Sequence, residues 1–325
     1  MIYLHLFETE SGFTEQYNGT GYSEPWTSLI DETGVVKFNK IKPMIFGKYL
    51  VSTTESPTNL CSTALTNVLQ TIIVDGVELE QPVTSYTFTS TGLHNVTFVL
   101  SNNSVPYLSF SGTDIPAKSL RFNGSIKSIG QYAVSGVTSV EEIIVDDGVE
   151  ILGLSPFLKL TNLTKAVIPG TITSANTTDD VFQGCTSLSA ITSPLAVYDG
   201  GMLIVNNKVV SYAPGYWVGK TELVIPEGVT EVCKGPGSAT NLSGASISGI
   251  TIPSTYTANL GLYFTSFATK EIIAYPTTAP NVSSSTFRRC ANNGVLKHPA
   301  GADYSGWMKT TNYYLGSSNW TEETF

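Results

Sequence analysis

Val181-Phe182-Gln183-Gly184-Cys185-Thr186-Ser187-Leu188, with Ile191 after it, is the fullest copy of a unit that returns along the chain. Phe157 to Leu163 repeats it one copy earlier. Val140-Glu141-Glu142-Ile143-Ile144-Val145, with Val149 and Ile151, aligns on Leu163-Thr164-Lys165-Ala166-Val167-Ile168-Pro169, with Ile172, at an offset of about 23 residues. Later copies are Leu223-Val224-Ile225-Pro226-Glu227-Gly228-Val229 and Ile250-Thr251-Ile252-Pro253, and a fainter one runs from Ile272-Ile273-Ala274-Tyr275-Pro276 through Phe287 to Cys290. Each unit supplies a short strand that ends at proline, where no ladder donor is needed, then a turn, then a corner whose Phe and Leu point inward. One unit cannot bury its own apolar side, whereas a stack of them shares a continuous core. The pattern therefore predicts a solenoid from about residue 115, with parallel sheet on one face and with Val145, Ile168, Ile225 and Ile252 in adjacent rungs.

Upstream, the period changes. Leu69 to Val74, the Asp75-Gly76 turn and Val77 to Leu79 read as a hairpin; Tyr86-Thr87-Phe88 and Val96 to Leu100 add further alternating strands. His94, beside Gly92, is placed in a turn and is not expected to be a ligand. Residues 1–45 form a lead-in: an apolar strand at Ile2 to Phe7, a helical turn from Glu8 to Tyr17, Gly- and Pro-containing coil, and a strand over Gly34 to Lys40. That segment is too short for a core of its own and should pack on something else.

The chain has 325 residues, of which only 13% are charged, and a net charge of −9. Ser, Thr, Asn and Gly fill the place of charges, as on outward-facing β-proteins. The negative balance, with no basic run longer than Arg288-Arg289, excludes a phosphate-backbone ligand. Cys61, Cys185, Cys233 and Cys290 lie far apart with no C-x-x-C pair and read as small hydrophobes. Met1 to Glu8 has no basic n-region, and acidic residues interrupt its apolar run. This reads as a chain made in a cytosol that does not leave by the ordinary secretory route. No stretch approaches the length of a membrane span.

At these residues the sequence resembles the BspA-like leucine-rich repeats of surface proteins from gut Bacteroidetes and their crAss-like phages. Phe182, Cys185, Leu188 and Ile191 match the family unit, as do Ile225-Pro226 with Val229 and Val232. The segment Tyr198-Asp199-Gly200-Gly201-Met202-Leu203-Ile204, leading to Val209-Val210-Ser211-Tyr212-Ala213-Pro214-Gly215, resembles the family's recurrent hairpin. Gly294 to Gly301 with Tyr304, Trp307 and Tyr313-Tyr314 resembles its closing cap. Gly235-Pro236-Gly237 interrupts the unit, and a loop is expected there in an irregular stack of five to seven turns. The lead-in, from Phe7 through Tyr22, Pro25 and Trp26 to Lys40, is similar to N-terminal segments of phage virion proteins. The alternation upstream supports a small β-sandwich-like domain or open β-meander (46–110), and the resemblance, over about residues 115–325, implies a leucine-rich-repeat solenoid (111–290) and a C-terminal cap (291–325); with the N-terminal docking segment (1–45) the expected fold is mainly β.

Little catalytic chemistry can be assembled from three His, scattered Cys and few carboxylates, so no catalytic residue, metal or cofactor is assigned. Glu141-Glu142, Asp146-Asp147 and Asp179-Asp180 are the only paired acids considered for glycosidase or calcium chemistry, and they read as solvated turn acids. His298 and Cys290 lack further ligands. Tyr212, Tyr216 and Trp217, in or beside the hairpin, are the candidate binding aromatics, with cap and hairpin packing as the alternative; Trp307, Tyr313, Tyr314 and Trp320 read first as cap packing. Phe7, Tyr22, Pro25 and Trp26 are the candidate docking residues. The expected role is a phage virion structural protein on the virion surface, joined to other virion proteins through residues 1–45. It would display the solenoid to a host-surface glycan or protein, most simply as a dimer or trimer, without nucleic-acid binding or membrane insertion. A bacterial cell-surface adhesin is the alternative, and a glycan-active enzyme the third reading.

Overall fold

A computed structural model describes residues 42–233, 246–260 and 267–325 in full, together with the backbone of one antiparallel pair, Trp26–Ile30 and Val36–Lys40. The expected helical turn at 8–17 and the loop at 235–237 lie outside these residues.

Before the hairpin the coils are built from short parallel strands that form three ladders along the stack. The first joins Ala117–Phe122, Glu142–Val145, Lys165–Val167 and Ile191–Thr192. The second joins Ser104–Val105, Ser128–Ile129, Ile151–Leu152 and Ser174–Ala175. The third joins Phe110–Ser111, Val134–Ser135 and Phe157–Leu158. Strand alternation decides what points inward: Leu120, Ile143, Ala166 and Ile191 stack as one buried column, and Phe122, Val145 and Ile168 as the next. Each fully buried Leu, Ile, Val or Phe in these columns contributes about 2 kcal/mol of burial. Corners are tight because glycines stand above glycines: a Cβ on Gly153 would come 2.6 Å from the backbone N of Gln131, and one on Gly130 would come 2.6 Å from the carbonyl O of Val105.

The proline rule holds in detail. The strands Lys165–Val167, Glu222–Val224 and Gly249–Ile252 stop at Pro169, Pro226 and Pro253, and the N–H groups of Ile168 and Ile225 make the last rung bonds, to Thr192 O at 2.9 Å and Thr251 O at 3.0 Å. Val145 and Ile168 do lie in neighbouring rungs, as do Ile225 and Ile252. Ile168 and Ile225 do not. Between them the chain leaves the stack for the antiparallel strands Ala196–Val197, Met202–Val205 and Lys208–Tyr212, with Asn206 and Asn207 both left-handed in the turn. A second parallel sheet then begins: Glu222–Val224, Gly249–Ile252, Glu271–Ala274, Val295–His298 and Thr321–Thr324. Four front strands before the hairpin and five after it exceed the five to seven turns expected, because residues 295–298 and 321–324 continue the stack.

The first front sheet does not begin at Ala117. On its other edge this strand pairs antiparallel with Met44–Val51, which pairs with Gly92–Leu100, and that strand with Leu69–Val74, giving one eight-stranded sheet. Asn123 ties the junction: its Oδ1 accepts the Met44 N–H at 2.9 Å and its Nδ2 donates to Lys42 O at 2.9 Å. One buried core runs from Ile45 to Ala213, and a second from Met202 to Trp320. Asp75 and Gly76 form the expected left-handed turn between Leu69–Val74 and Val77–Glu78. His94 corrects the turn assignment: it lies within the Gly92–Leu100 strand, with Nδ1 2.6 Å from Asp75 Oδ2 and Nε2 2.9 Å from Ser90 O. Burial opposes ionisation of Asp75, but hydrogen bonds from His94 and the Asn95 N–H hold its carboxyl below the usual range.

Candidate functional site

The outward face of the eight-stranded sheet is the candidate interface. Every second residue of its strands faces away from the core, and the pairing sets these residues in straight rows. One row runs Thr97, Phe46, Arg121, Ile144, Val167, Thr192, each the direct cross-strand partner of the next. At about 4.8 Å per strand it is roughly 24 Å long. Phe46, Ile144 and Val167 are half-buried and belong to neither core cluster. Beside them lies a polar row, Asn95, Lys48, Ser119, Glu142, Lys165. Its charges and those around it are paired between rungs: Lys165 with Glu142 at 2.6 Å, Arg121 with Asp146 at 2.9 Å and Lys118 with Glu141 at 2.6 Å. Such exposed pairs add little stability, about 0–1 kcal/mol each, but they hold charge in register along the face. The face thus mixes three half-buried apolar side chains, Phe46, Ile144 and Val167, with charges held in pairs.

The aromatics singled out from sequence are placed elsewhere. Tyr212 is wholly buried and Trp217 is 3% exposed, its Nε1 donating to Gly201 O at 2.9 Å. Tyr216 is half-buried, edge-on to Trp217 at 5.2 Å and covered by Lys220 at 4.9 Å. The structure therefore brings the three together, but as packing of the hairpin against the second core; Tyr212 and Trp217 present no ring face to a ligand. The Tyr212 hydroxyl is buried and has no hydrogen-bond partner among the described residues, and burial pushes its pKa well up. Tyr212→Phe is accordingly expected to leave stability unchanged or raise it by about 1 kcal/mol, read as the urea midpoint; a loss of that size would reveal a partner for the hydroxyl. Phe7, Tyr22 and Pro25 lie outside the described residues. Trp26 opens the strand that pairs with Val36–Lys40, and its side chain lies outside the description.

The acids also need correction. Glu141, Glu142 and Asp146 are the ion-pair partners above, while Asp180 is completely buried and Asp179 nearly so. Asp180 is the hub that seats the hairpin: Oδ1 accepts the Phe182 N–H at 2.8 Å and the Ser211 hydroxyl, and Oδ2 accepts the Tyr212 N–H at 3.0 Å. His298 stacks on Tyr304 at 4.6 Å, with Nε2 3.5 Å from Glu322. All four cysteines are free; burial pushes the Cys61 thiol up to about 12 and those of Cys185, Cys233 and Cys290 upward as well, which favours the thiol over the thiolate. Among the described residues no group of three or more His, Cys, Asp or Glu is placed to hold a metal, and no helix is long and apolar enough to cross a membrane. Where the second ladder stops at Ser174–Ala175, a shallow cleft of about 420 Å³ opens, lined by Ile151, Ser174, Asn176 and Thr177 among uncharged neighbours.

The stacked three-walled coils and their 23-residue offset point to one repeat class. Residues 78–199 match the BspA type leucine rich repeat region, in six copies. The BspA-type match thus covers the coils before the hairpin and the strands leading into them, and it indicates no catalytic family. Among solved structures the chain is similar to the pneumococcal vaccine antigen PcpA, at 16% identity and a TM-score of 0.33, over 62% of this chain and 68% of that one. A leucine-rich repeat protein from Eubacterium ventriosum is similar at 17% identity and a TM-score of 0.28, over 61% and 73%. One from Bacteroides ovatus is similar at 13% and 0.26, over 65% and 75%. Comparison with curated proteins returns no match.

Two features escaped the sequence reading. The apolar row was signalled by Ile143-Ile144-Val145, a run with no polar alternation, which puts one branched side chain on the solvent side. The other is a set of cation–aromatic contacts near the C-terminus: Arg289 on Phe267 at 5.6 Å, Arg288 on Tyr313 at 5.0 Å and Lys309 on Tyr314 at 5.1 Å.

Proposed function

We propose that this chain is a non-catalytic binding protein that presents its BspA-type solenoid at a surface and uses the outer face of the eight-stranded sheet to hold a protein partner. Phe46, Ile144 and Val167 carry this reading: apolar side chains outside the core, set by strand pairing in one row with Arg121 between Phe46 and Ile144, and with paired charges alongside. In a protein contact such residues gain the burial that the core does not provide.

Two settings serve this role equally. In one the chain is a virion protein attached through residues 1–45, supported by the similarity of Phe7 to Lys40 to virion N-terminal segments; assembly as a dimer or trimer belongs to the same reading. In the other it is a cell-surface adhesin, supported by the repeat type. Fractionation of a producing culture separates them: mass spectrometry finds the chain in purified particles, or protease added to intact cells removes it. A chain found only inside cells, protected from protease, overturns surface display altogether. Ile144→Lys with Val167→Lys is expected to reduce retention of the displayed chain on its target at least about tenfold while leaving the thermal midpoint in place.

A further inference from the structure

We propose that the wall of the first stack between its second and third ladders binds an uncharged oligosaccharide, with Tyr107 and Tyr132 as the stacking platform and Gln131, Ser174 and Asn176 as hydrogen-bonding groups. This wall is separate from the sheet face, and failure of the site would leave the preceding reading intact. Register sets out its columns. Tyr107, Gln131, Leu154 and Thr177 stand two residues past the second ladder in four successive coils, and Leu108, Tyr132, Ser155 and Thr178 follow them. At about 4.8 Å per coil, Tyr107 and Thr177 lie roughly 14 Å apart, a span that a saccharide of a few units covers. Thr177 lines the shallow cleft at Ser174–Ala175, so the platform and the cleft are the two ends of one strip.

Packing does not account for the tyrosines. Leu108, Tyr132 and Ser155 are left-handed, with φ of 50°, 50° and 39°. Glycine and asparagine suit such a corner, whereas a bulky side chain strains it. Tyr132 gives nothing to the interior in return: it belongs to neither core cluster, and its half-buried ring lies 6.0 Å from the Tyr107 ring at 55°. Tyr107 is 53% exposed and also lies outside both clusters. Strain held outside a core is characteristic of a ligand site. The backbone beneath is fixed by bonds between coils: Gly130 N–H to Val105 O and Gly153 N–H to Ile129 O, both at 2.8 Å, and Tyr132 N–H to Leu154 O at 3.0 Å. Two rigid tyrosines offer wide contact and leave little for a ligand to order.

The strip is neutral. Residues 104–110, 128–134, 151–157 and 174–178 contain no Asp, Glu, Lys, Arg or His. The charges that border it are paired or buried: Lys127 with Glu150 at 2.9 Å, Lys208 with Glu231 at 2.6 Å, and Asp179 and Asp180 inside. Past the third ladder stand Lys159, which is exposed, and Asp114, which accepts from Asn59 Nδ2. Gln131 is exposed, and its amide bonds none of the described residues; Asn176 accepts the Thr178 N–H through Oδ1 at 2.7 Å and keeps Nδ2 for a ligand. Amides and hydroxyls that both donate and accept match sugar hydroxyls, while the C–H face of a pyranose lies on a tyrosine ring. A phosphate strand finds no cation on the strip. A peptide strand finds an edge of only two residues, Ser174–Ala175, beside which Thr173 O already accepts from Asn206 Nδ2 at 2.6 Å.

Titration calorimetry of the full chain tests the site, with maltotetraose, cellotetraose, mannotetraose and chitotetraose as probes and tetragalacturonate, tetra-alanine and tetrathymidylate as comparisons. At least one neutral tetrasaccharide is expected to bind, with an affinity unchanged by added salt because no charge takes part. Tyr107→Ser is expected to weaken it about tenfold or more, Gln131→Ala about threefold, and Tyr107→Phe hardly at all. Tyr132→Asn removes the second ring but supplies a residue that accepts a left-handed backbone, so about a tenfold loss of affinity is expected with the thermal midpoint kept or raised. Ile144→Lys with Val167→Lys, on the sheet face, should leave saccharide binding intact. Absence of binding by all four neutral tetrasaccharides overturns the proposal. So does equal binding of tetra-alanine, tetragalacturonate or tetrathymidylate, and so does binding that salt abolishes or that is indifferent to both tyrosine substitutions.

Discussion

Replacing Phe157 by alanine is expected to cost about 4 kcal/mol of stability, the largest loss predicted for any single side chain described above. The ring is fully buried at the centre of the first stack, 6.0 Å from Phe122 and, almost parallel, 5.3 Å from Phe182 in the next coil. Cys185 from that same coil donates its thiol to the Phe157 carbonyl at 3.3 Å. The third ladder runs through Phe110, Val134 and Phe157, so the cavity would open where coils from both sides meet. The backbone there is pinned by rung bonds and cannot collapse to fill it. Urea unfolding followed by circular dichroism gives the loss directly. Phe267→Ala is the matched control: its ring is 77% exposed, and a change within about 0.5 kcal/mol is expected. Equal losses at the two positions would mean that the stacked interior is not where stability resides.

Asp180→Ala should come next, at about 3 kcal/mol. It strips the acceptor from three donors at once: the Phe182 N–H, the Ser211 hydroxyl and the Tyr212 N–H. All three residues are buried, and water cannot replace the carboxylate without opening the joint between hairpin and stack. Ser211→Ala removes one donor together with its need for an acceptor and should cost nearer about 1 kcal/mol. Hydrogen exchange localises the effect, since the amides of residues 202–212 should lose protection in Asp180→Ala before those of residues 142–145. A small loss spread evenly over both segments would show that Asp180 does not seat the hairpin.

Much of the architecture could be read from residue order because a coil is a local device. Ile-Pro at a fixed place in each unit marks a strand end, and Phe182, Cys185 and Leu188 mark a corner; both follow from neighbours in sequence. What failed to show depended on partners far along the chain. The strand Thr321–Thr324 is exposed at every position and has no alternation to betray it; only its register with Val295–His298 makes it a rung. Asp179-Asp180 has the composition of a surface turn, and only the hairpin some thirty residues later buries it. Tyr212 and Trp217 have side chains equally suited to a ligand or to a core, and the return path of the chain decides between them. At His94 the neighbouring Gly92 signals a turn, yet the strand runs through that glycine because its partner Met44–Val51 is long enough to pair with it throughout.

The fused sheet and the coils behind it act as a ruler. Because each repeat unit touches chiefly the units before and after it, inserting or deleting one copy near Ala166 would leave the antiparallel strands of residues 44–100 and the parallel sheet from Glu222 to Thr324 internally unchanged. Their separation would change by one strand spacing, about 4.8 Å. Descendants of this chain could therefore tune the distance between its two ends in fixed increments, without redesigning either.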